Sequence, residues 1–332
     1  MDERTGEIVE RARAIADEVL FPAALTTDAS PLLPRRLLDV LADAGFYGLV
    51  GPTGSGGLAA DGATVAAVVE ALAGGCLTTT FVWMQHLGST QAVARSDVAA
   101  VRDEWARPLS SGDRRAGVAF AHLRRPGPPV VRAAPCGGGW RIDGIAPWVT
   151  GWGRIDAVHV AARCGDDIVW SLIDAVGSTA VRPDPLALAA VDASGTVELH
   201  LTGLVVPPER VTIVEPYSAW AARDAAGSRT NGSLALGVAS RCTRLLGPSP
   251  FDDELVACRE ALDRAGPDEF PAARAAASVL AHRAAGALVA AGGGSAVRRD
   301  HHAQRLAREA MFLLVQAQNP AIRAAQAQRF AP

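Results

Sequence analysis

The sequence predicts an α+β protein in which a helical block, a β block and a second helical block follow one another along the chain. Apolar residues recur at spacings of three and four from Glu3 to about Val101, which is the period of an amphipathic helix. Between about Gly117 and Pro216 the period changes to two, which is typical of strands, and after Pro216 it returns to the helical value. Because single strands and helices do not alternate, the pattern argues against a doubly wound nucleotide-binding fold.

Helical periodicity divides each outer block into several segments. In the first block these segments are IVERARAIADEVL, PRRLLDVLADAGFYGLV and ATVAAVVEALAGG. In the third block they are NGSLALGVASRCTRLLG, DDELVACREALDRAG, DEFPAARAAASVLAHRAAGALVAAGGG, HHAQRLAREAMFLLVQAQ and AIRAAQAQRF, with Pro248, Pro267 and Pro320 where helices should begin or end. We therefore expect an all-α N-terminal domain and a C-terminal helical bundle.

The middle block is predicted to be an antiparallel sheet. Its strand segments VVRAAP, WRIDGIAPWV, DAVHVAAR, DIVWSLIDA and TVELHLTGLVV are punctuated by the turn sequences GGG, GDD and DASG. The predicted domains are an N-terminal all-α domain at residues 1–115, a middle β domain at 116–217 and a C-terminal all-α domain at 218–332.

Composition excludes several classes of protein. The formal net charge of −3 leaves no basic excess for binding nucleic acid. The five cysteines show no CxxC or Cys/His ligand spacing, so neither a metal site nor a disulfide framework is expected, and a reducing cytoplasmic location fits. The charged N-terminal segment and the lack of an apolar run of about 18 residues predict no membrane span.

Two short motifs suggest chemistry that their residues do not support. The segment GPTGSGGL, Gly51 to Leu58, is similar to a phosphate-binding loop, but Gly57 and Leu58 stand where such a loop needs its lysine and its hydroxyl residue. A Gly-rich turn between helices is the better interpretation. His301 and His302 are adjacent, and adjacent helical positions point about 100° apart, so the pair is predicted to lie at a helix start or on the surface.

Four ordered segments resemble the acyl-CoA dehydrogenase family. The most specific is GGGWRIDGIAPWVTGWGRIDAVHVAAR, in which Trp148, Val149 and Thr150 take the family's Trp-Ile-Thr positions. GLVGPTGSGGLAADGATVAAVVEALAGG, DASGTVELHLTGLVVPPERV and the triple glycine from Gly292 match three further family motifs. The resemblance implies an FAD held in an extended pose at a subunit interface, within a homo-oligomer or a hetero-oligomer with a homologue.

The resemblance also implies which residues contact the cofactor. The flavin ring would pack against Trp148, Val149 and Thr150, and its pyrimidine side would contact Leu123 and Arg124. The pyrophosphate of a neighbouring subunit's FAD would lie close to Gly292, Gly293 and Gly294. Arg124 replaces a family threonine, which alters one flavin hydrogen bond. The family motif that binds the adenine half of a partner subunit's FAD is represented here by Arg244–Gly247, where the spacing between the arginine and the glycine is one residue shorter.

The family's catalytic glutamate has no counterpart. Arg308 and Glu309 match a family Arg-Asp pair, and counting onward places Gln316, Ala317 and Gln318 where the family has Tyr-Glu-Gly. The alternative location in some members corresponds to SRTNGSLALGVASR, which contains no acid. We therefore identify no catalytic residue, and we expect Glu309 to form a structural ion pair.

Three functions remain open from the sequence. The first is an FAD-dependent acyl-CoA dehydrogenase-like oxidoreductase that acts on the CH–CH group of an acyl-CoA or acyl-carrier thioester, with an electron-transfer flavoprotein as electron acceptor. Its base is either an unrecognised residue of this chain or a residue of a partner chain that completes the site in a mixed oligomer. The second is a flavin monooxygenase-type member of the same superfamily, which needs no base for an α-proton. The third is a non-catalytic structural subunit.

Overall fold

The computed structural model describes residues 3–225 and 229–331 and has the predicted order of helices, sheet and helices. The first block consists of α1 (Glu3–Ile15), a π-helical turn (Ala16–Leu20), α2 (Phe21–Asp28), α3 (Arg35–Asp43), α4 (Gly62–Gly75), α5 (Leu77–Arg95) and α6 (Ala99–Ser111). The last block consists of α7 (Tyr217–Ala225), α8 (Arg229–Leu246), α9 (Phe251–Arg264), α10 (Phe270–Gly292), α11 (His302–Leu313) and α12 (Pro320–Phe330).

An eight-stranded sheet separates the two helical blocks in the sequence. Its strands are β1 (Ala116–Ala119), β2 (Val131–Cys136), β3 (Gly139–Val149), β4 (Ala157–Cys164), β5 (Asp167–Asp174), β6 (Val181–Pro185), β7 (Val197–Val206) and β8 (Val211–Pro216). Their spatial order is β6-β7-β3-β2-β4-β5-β8, with β1 beside β4. The middle of the chain therefore forms one continuous sheet.

The prediction of a purely antiparallel sheet was wrong at two pairings, because β1 and β2 both run parallel to β4. β2 and β3 form an antiparallel hairpin, and β4 reverses direction again but pairs beside β2 instead of β3. Because the chain reverses direction twice between β2 and β4, these two strands run parallel. Alternating polarity in a sequence reports which face of a strand is buried and not which neighbour the strand takes, so the pattern could not reveal this order.

The Gly-rich segment after α3 is a turn, as predicted. Thr53–Ser55 form one turn of 3₁₀ helix, and the backbone N–H groups of Gly56 and Gly57 donate to carbonyl groups within the segment. The segment leads into α4, whose N-cap Asp61 accepts a hydrogen bond of 2.7 Å from the Thr64 N–H.

Helices α4 and α8 cross in backbone contact and join the two helical blocks. A Cβ atom added to Gly237 of α8 would lie 2.3 Å from the carbonyl oxygen of Glu70 and 2.9 Å from the Gly74 nitrogen, both in α4. Such a separation is shorter than any van der Waals contact, so only glycine fits at position 237. One apolar core extends across this crossing into both helical blocks, whereas the sheet has a separate core.

We expect Gly237→Ala to destabilise the protein by about 1 to 3 kcal/mol, because the added methyl group forces the two helices apart. Gly286→Ala is the matched control, since Gly286 lies within α10 and a Cβ there would meet nothing within 4 Å. Removing a helix-interior glycine should raise stability by roughly 0.5 to 1 kcal/mol. Urea unfolding of both variants measures the two effects, and equal changes in the same direction would contradict the close crossing.

Among the described residues, one helical stretch, Phe270–Val297, is long and apolar enough to cross a membrane by length and composition. Half of that apolar window is buried within the protein. Residues of α10 such as Ala277, Ala281 and Ala284 are fully buried in the core shared with α8 and α11, which is how the central helix of a bundle behaves.

Candidate active site

A cleft of about 1240 Å³ lies where the three blocks meet. Residues of α4 and α5 line it from the first block, the end of β3 and the 3₁₀ turn Ala121–Arg124 line it from the middle block, and α7, α8, α10, the α11–α12 connection and α12 line it from the last block. The volume exceeds the roughly 300–1,000 Å³ of a typical small-molecule site, so the cleft has room for a large ligand.

Trp148 is presented to this cleft by a strained bulge at the end of β3. The pairing of β3 with β7 shifts register between Ala146 and Val149, and both of these side chains are fully buried. Trp148 lies between them with φ at 61° and half of its side chain exposed at the cleft. A left-handed conformation is unfavourable for a bulky residue, and bulges of this kind re-aim side chains next to functional sites.

Val149 and Thr150 do not line the cleft. Val149 is fully buried in the core of the sheet. The Thr150 hydroxyl lies 3.1 Å from the Thr196 hydroxyl, which in turn lies 2.7 Å from that of Ser194. Because these hydroxyl groups already bond to one another, contact between Thr150 and a flavin stays a prediction.

Arg124 lines the cleft as one half of an ion pair that the sequence did not reveal. Its guanidinium donates two hydrogen bonds to the carboxylate of Asp224 in α7, with Nε–Oδ2 and Nη2–Oδ1 distances of 2.8 and 2.6 Å. The neighbouring Leu123 is buried in an aromatic cluster with Trp170 and Trp220. One hundred residues separate the two ion-pair partners, so no local pattern could have indicated Asp224.

Arginines outnumber carboxylates on the walls of the cleft. Six arginines line it, namely Arg124, Arg125, Arg223, Arg229, Arg274 and Arg323. In the part of the chain that the structure describes, Asp224 is the only carboxylate on its walls, and it is already paired with Arg124. Arg223 and Arg229 pair with Glu215 and Asp263, which do not line the cleft, so Arg125, Arg274 and Arg323 carry the charge that no ion pair offsets. An excess of fixed positive charge in a cleft attracts anionic ligands, such as those carrying phosphate or carboxylate groups.

The connection between α11 and α12 lies on the cleft wall where the family motif places the catalytic base. Gln316, Ala317 and Gln318 all line the cleft, and Ala317 has φ at 50°. No carboxylate is present in this connection. The second location begins at Ser228, which falls outside the described residues, and continues into α8, whose described residues Arg229–Leu246 contain no acid.

Glu309 forms the predicted ion pair and does not line the cleft. Its carboxylate accepts a hydrogen bond of 2.5 Å from Arg305, and both side chains are almost fully buried. Burial raises the pKa of Glu309, and the Arg305 charge acts against that rise. The partnership and the burial both indicate a structural role.

The triple glycine lies away from the cleft, at the end of α10. Gly293 has φ at 57° and ends the helix, and Gly293 and Gly294 are exposed. A partner's FAD in contact with this turn stays a prediction.

Nearby, His301 caps α11 by accepting a 3.1 Å hydrogen bond from the Ala303 N–H, and His302 stacks on Phe21, with ring centroids 4.1 Å apart.

Arg244, the candidate for clasping a partner's adenine, is engaged elsewhere. Its guanidinium donates hydrogen bonds of 2.9 and 3.0 Å to Asp17 in the π-helical turn. Arg241 donates to the same carboxylate, and the two guanidinium groups together lower the pKa of Asp17.

No group of three or more His, Cys, Asp or Glu residues that could hold a metal ion occurs within residues 3–225 and 229–331.

The fold and the matched motifs define a class of protein. Residues 2–113 match the family model for the N-terminal domain of acyl-CoA dehydrogenases. The family match and the fold together support membership of the acyl-CoA dehydrogenase superfamily, as predicted from the sequence. Solved structures of acyl-CoA dehydrogenases share the fold of the described residues.

Individual relatives make the comparison more specific. The 3-sulfinopropanoyl-CoA desulfinase of Variovorax paradoxus is 28% identical over 173 residues, which are 48% of this chain and 41% of the relative. The desulfinase of the same name from Paraburkholderia xenovorans is 25% identical over 170 residues, covering 48% and 42% of the two chains. The matched region therefore spans less than half the length of either curated relative.

Solved structures resemble the whole chain. Butyryl-CoA dehydrogenase from Megasphaera elsdenii superposes with a TM-score of 0.84 at 15% identity, covering 99% of this chain and 98% of that one. A glutaryl-CoA dehydrogenase from Mycobacterium smegmatis in complex with FADH2 gives 0.81 at 16% identity, covering 100% and 95%. A chain from a structure of the electron transferring flavoprotein of Acidaminococcus fermentans gives 0.83 at 17%, covering 99% and 98%. At these identities the likeness establishes the fold.

Proposed function

We propose that this chain is a flavoprotein oxidoreductase whose large cleft holds FAD and an acyl thioester. The observation that carries the proposal is the half-exposed Trp148, which a strained bulge presents to a basic cleft at the junction of the three blocks. The glutaryl-CoA dehydrogenase with the same fold was solved with FADH2, and the butyryl-CoA dehydrogenase acts, by its name, on an acyl-CoA.

The residues of the cleft fit a flavin cofactor. A planar ring system needs an apolar aromatic surface, which Trp148 supplies together with Phe120 from the neighbouring turn. Phosphate groups need fixed positive charge, which the exposed arginines of the cleft supply, among them Arg125 and Arg323. When bound, FAD would supply a two-electron acceptor. The residues named here would bind and orient that cofactor.

The vacant base position limits the reaction that the chain can perform alone. Dehydrogenation of an acyl thioester requires removal of a proton next to the carbonyl group, usually by a carboxylate. Asp224 is unsuited to this task, because both of its carboxylate oxygens already accept hydrogen bonds from Arg124. We propose that the isolated chain oxidises acyl-CoA slowly, and that a homologous subunit supplies the missing carboxylate in a mixed oligomer.

A second candidate function is removal of a sulfinate group from an acyl thioester. Both curated relatives are named as 3-sulfinopropanoyl-CoA desulfinases. The observation that favours this candidate is the excess of arginines in the cleft, because a sulfinate, like a carboxylate, is an anion that guanidinium groups bind well.

An anaerobic titration of the purified protein tests the proposal. We expect visible flavin absorbance that bleaches slowly with acyl-CoA, and with electron transferring flavoprotein as the acceptor we expect slow turnover. Release of a sulfur oxyanion from 3-sulfinopropanoyl-CoA without bleaching would select the second candidate. A flavin that resists acyl-CoA but reacts with oxygen once reduced by a nicotinamide donor would favour a monooxygenase, and a colourless protein would leave a structural subunit.

A further inference from the structure

Three side chains on the cleft wall form a hydrogen-bonded chain. Arg274 of α10 donates from Nη2 to Oε1 of Gln316, at 3.3 Å. Gln316 then donates from Nε2 to Oδ1 of Asn231 in α8, at 2.9 Å. All three residues line the cleft, and the chain lies directly beside Ala317, at the position of the missing glutamate.

Arg274 fixes which group donates and which accepts in each of these hydrogen bonds. A guanidinium has only donors, so Oε1 of Gln316 must face Arg274 and its amide group must face Asn231. Asn231 then accepts with Oδ1, and its own amide group remains a donor. Burial lowers the pKa of Arg274 to about 10, so the guanidinium stays protonated at neutral pH and the direction does not reverse.

Arg274 is held firmly and carries a charge without a counterion. It is 1% exposed, and it also donates to the Ser278 hydroxyl and to the carbonyl oxygens of Leu313 and Gln316. Arg274 forms no ion pair with a carboxylate among the described residues, and its Nε lacks any partner. A buried positive charge without an ion-pair partner therefore stands behind Asn231, whose amide oxygen accepts from Gln316 and whose amide group is left to donate.

We propose that Asn231 donates a hydrogen bond to an oxygen of the acyl thioester, and that Arg274 and Gln316 are positioning residues that keep its amide group turned toward the cleft. The inference rests on the proposed function, since it names how the same cleft recognises its acyl ligand. The oxygen belongs either to the thioester carbonyl group or to a terminal anionic group of the acyl chain. Both are acceptors that Asn231 can satisfy, and the Arg274 charge strengthens either bond.

Gln316→Glu reverses the direction of donation in the hydrogen bond between residue 316 and Asn231. The new carboxylate accepts from Arg274 and must then accept from Asn231 as well, so the Asn231 amide turns over and presents its oxygen to the cleft. We expect the melting temperature to be kept or raised, because Arg274 gains a counterion, while the affinity for acyl-CoA falls at least about tenfold. Gln328→Glu is the control: it adds the same charge at an exposed position of α12 outside the lining of the cleft and should change the affinity by less than about threefold.

Calorimetric titration of the FAD-loaded protein with butanoyl-CoA and glutaryl-CoA identifies the oxygen. Asn231→Leu, which has a similar size and no donor, should weaken both thioesters if the carbonyl oxygen is bound, and glutaryl-CoA alone if the terminal carboxylate is bound. Either result supports the proposal. Unchanged affinity in both Asn231→Leu and Gln316→Glu would overturn it while leaving the proposed function intact. Failure of the unmodified protein to bind either thioester would overturn the proposed function, and this inference with it.

Discussion

Ala317→Glu is expected to accelerate the reduction of bound flavin by acyl-CoA by at least about 10²-fold, because a positioned general base contributes roughly 10²–10⁴ in rate. Ala317 lines the cleft in the connection between α11 and α12, where the resemblance places the family's glutamate. Its φ of 50° is already left-handed, so a longer side chain with the same stereochemistry adds little backbone strain to what alanine already carries.

Stopped-flow absorbance under anaerobic conditions measures this effect. Ala317→Gln is the matched control, since it has nearly the same size but cannot accept a proton at neutral pH. Equal acceleration by both substitutions would mean that filling the cleft, and not the carboxylate, is responsible. Rapid turnover by the unmodified chain, undiminished by Glu309→Gln, would show that the base lies elsewhere.

Trp148→Ala is expected to lower the affinity for FAD by at least about tenfold, because stacking of a planar ring on an aromatic side chain contributes about 1–3 kcal/mol. Half of the Trp148 side chain is exposed, so its removal should cost less stability than the 3–5 kcal/mol typical of a buried tryptophan. Trp148→Phe should restore part of the FAD content.

Trp148→Gly separates cofactor binding from stability. Glycine removes the indole and also relieves the left-handed strain at φ 61°, which costs other residues of order 1 kcal/mol or more. We therefore expect the glycine variant to melt at a higher temperature than the alanine variant, with equally little FAD. Bound FAD and melting temperature can be measured on the same samples. If the flavin content of both variants matched that of the unmodified protein, Trp148 would not be part of the cofactor site.

The order of the blocks could be predicted because hydrophobic periodicity is a local property. The long helix α5 was harder, since LTTTFVWMQHLGSTQAVAR buries threonine, histidine and serine side chains as well as apolar ones and shows no clean stripe. Its buried polar groups find partners far along the chain; for example, His86 contacts the Leu109 carbonyl oxygen and the Ala116 N–H. Such a helix is specified by tertiary hydrogen bonds, which a periodicity analysis does not detect.

The candidate site was predictable only in part, for the same reason. The motif resemblance indicated Trp148 and Arg124, and the structure places both on the cleft. It could not indicate Asp224, or the chain of amides that ends at Asn231, because each depends on contacts between residues far apart in sequence. Ala317 could be placed by counting residues onward from Glu309. That count requires only that the end of α11 is a regular helix, which is a local property of the sequence.

The crossing of α4 and α8 also restricts how the molecule can move. Backbone contact at Gly74 and Gly237 leaves no side chain between α4 and α8 at their crossing, and one close-packed apolar core surrounds it. We therefore expect those blocks to move as one unit, without a hinge between them that admits a ligand. If the cleft binds a thioester as proposed, we expect the displacements that admit it to involve the sheet, which has its own core, and the short helix α7 that follows it. Amide hydrogens in α4 and α8 would accordingly exchange with solvent in one common, slow opening event.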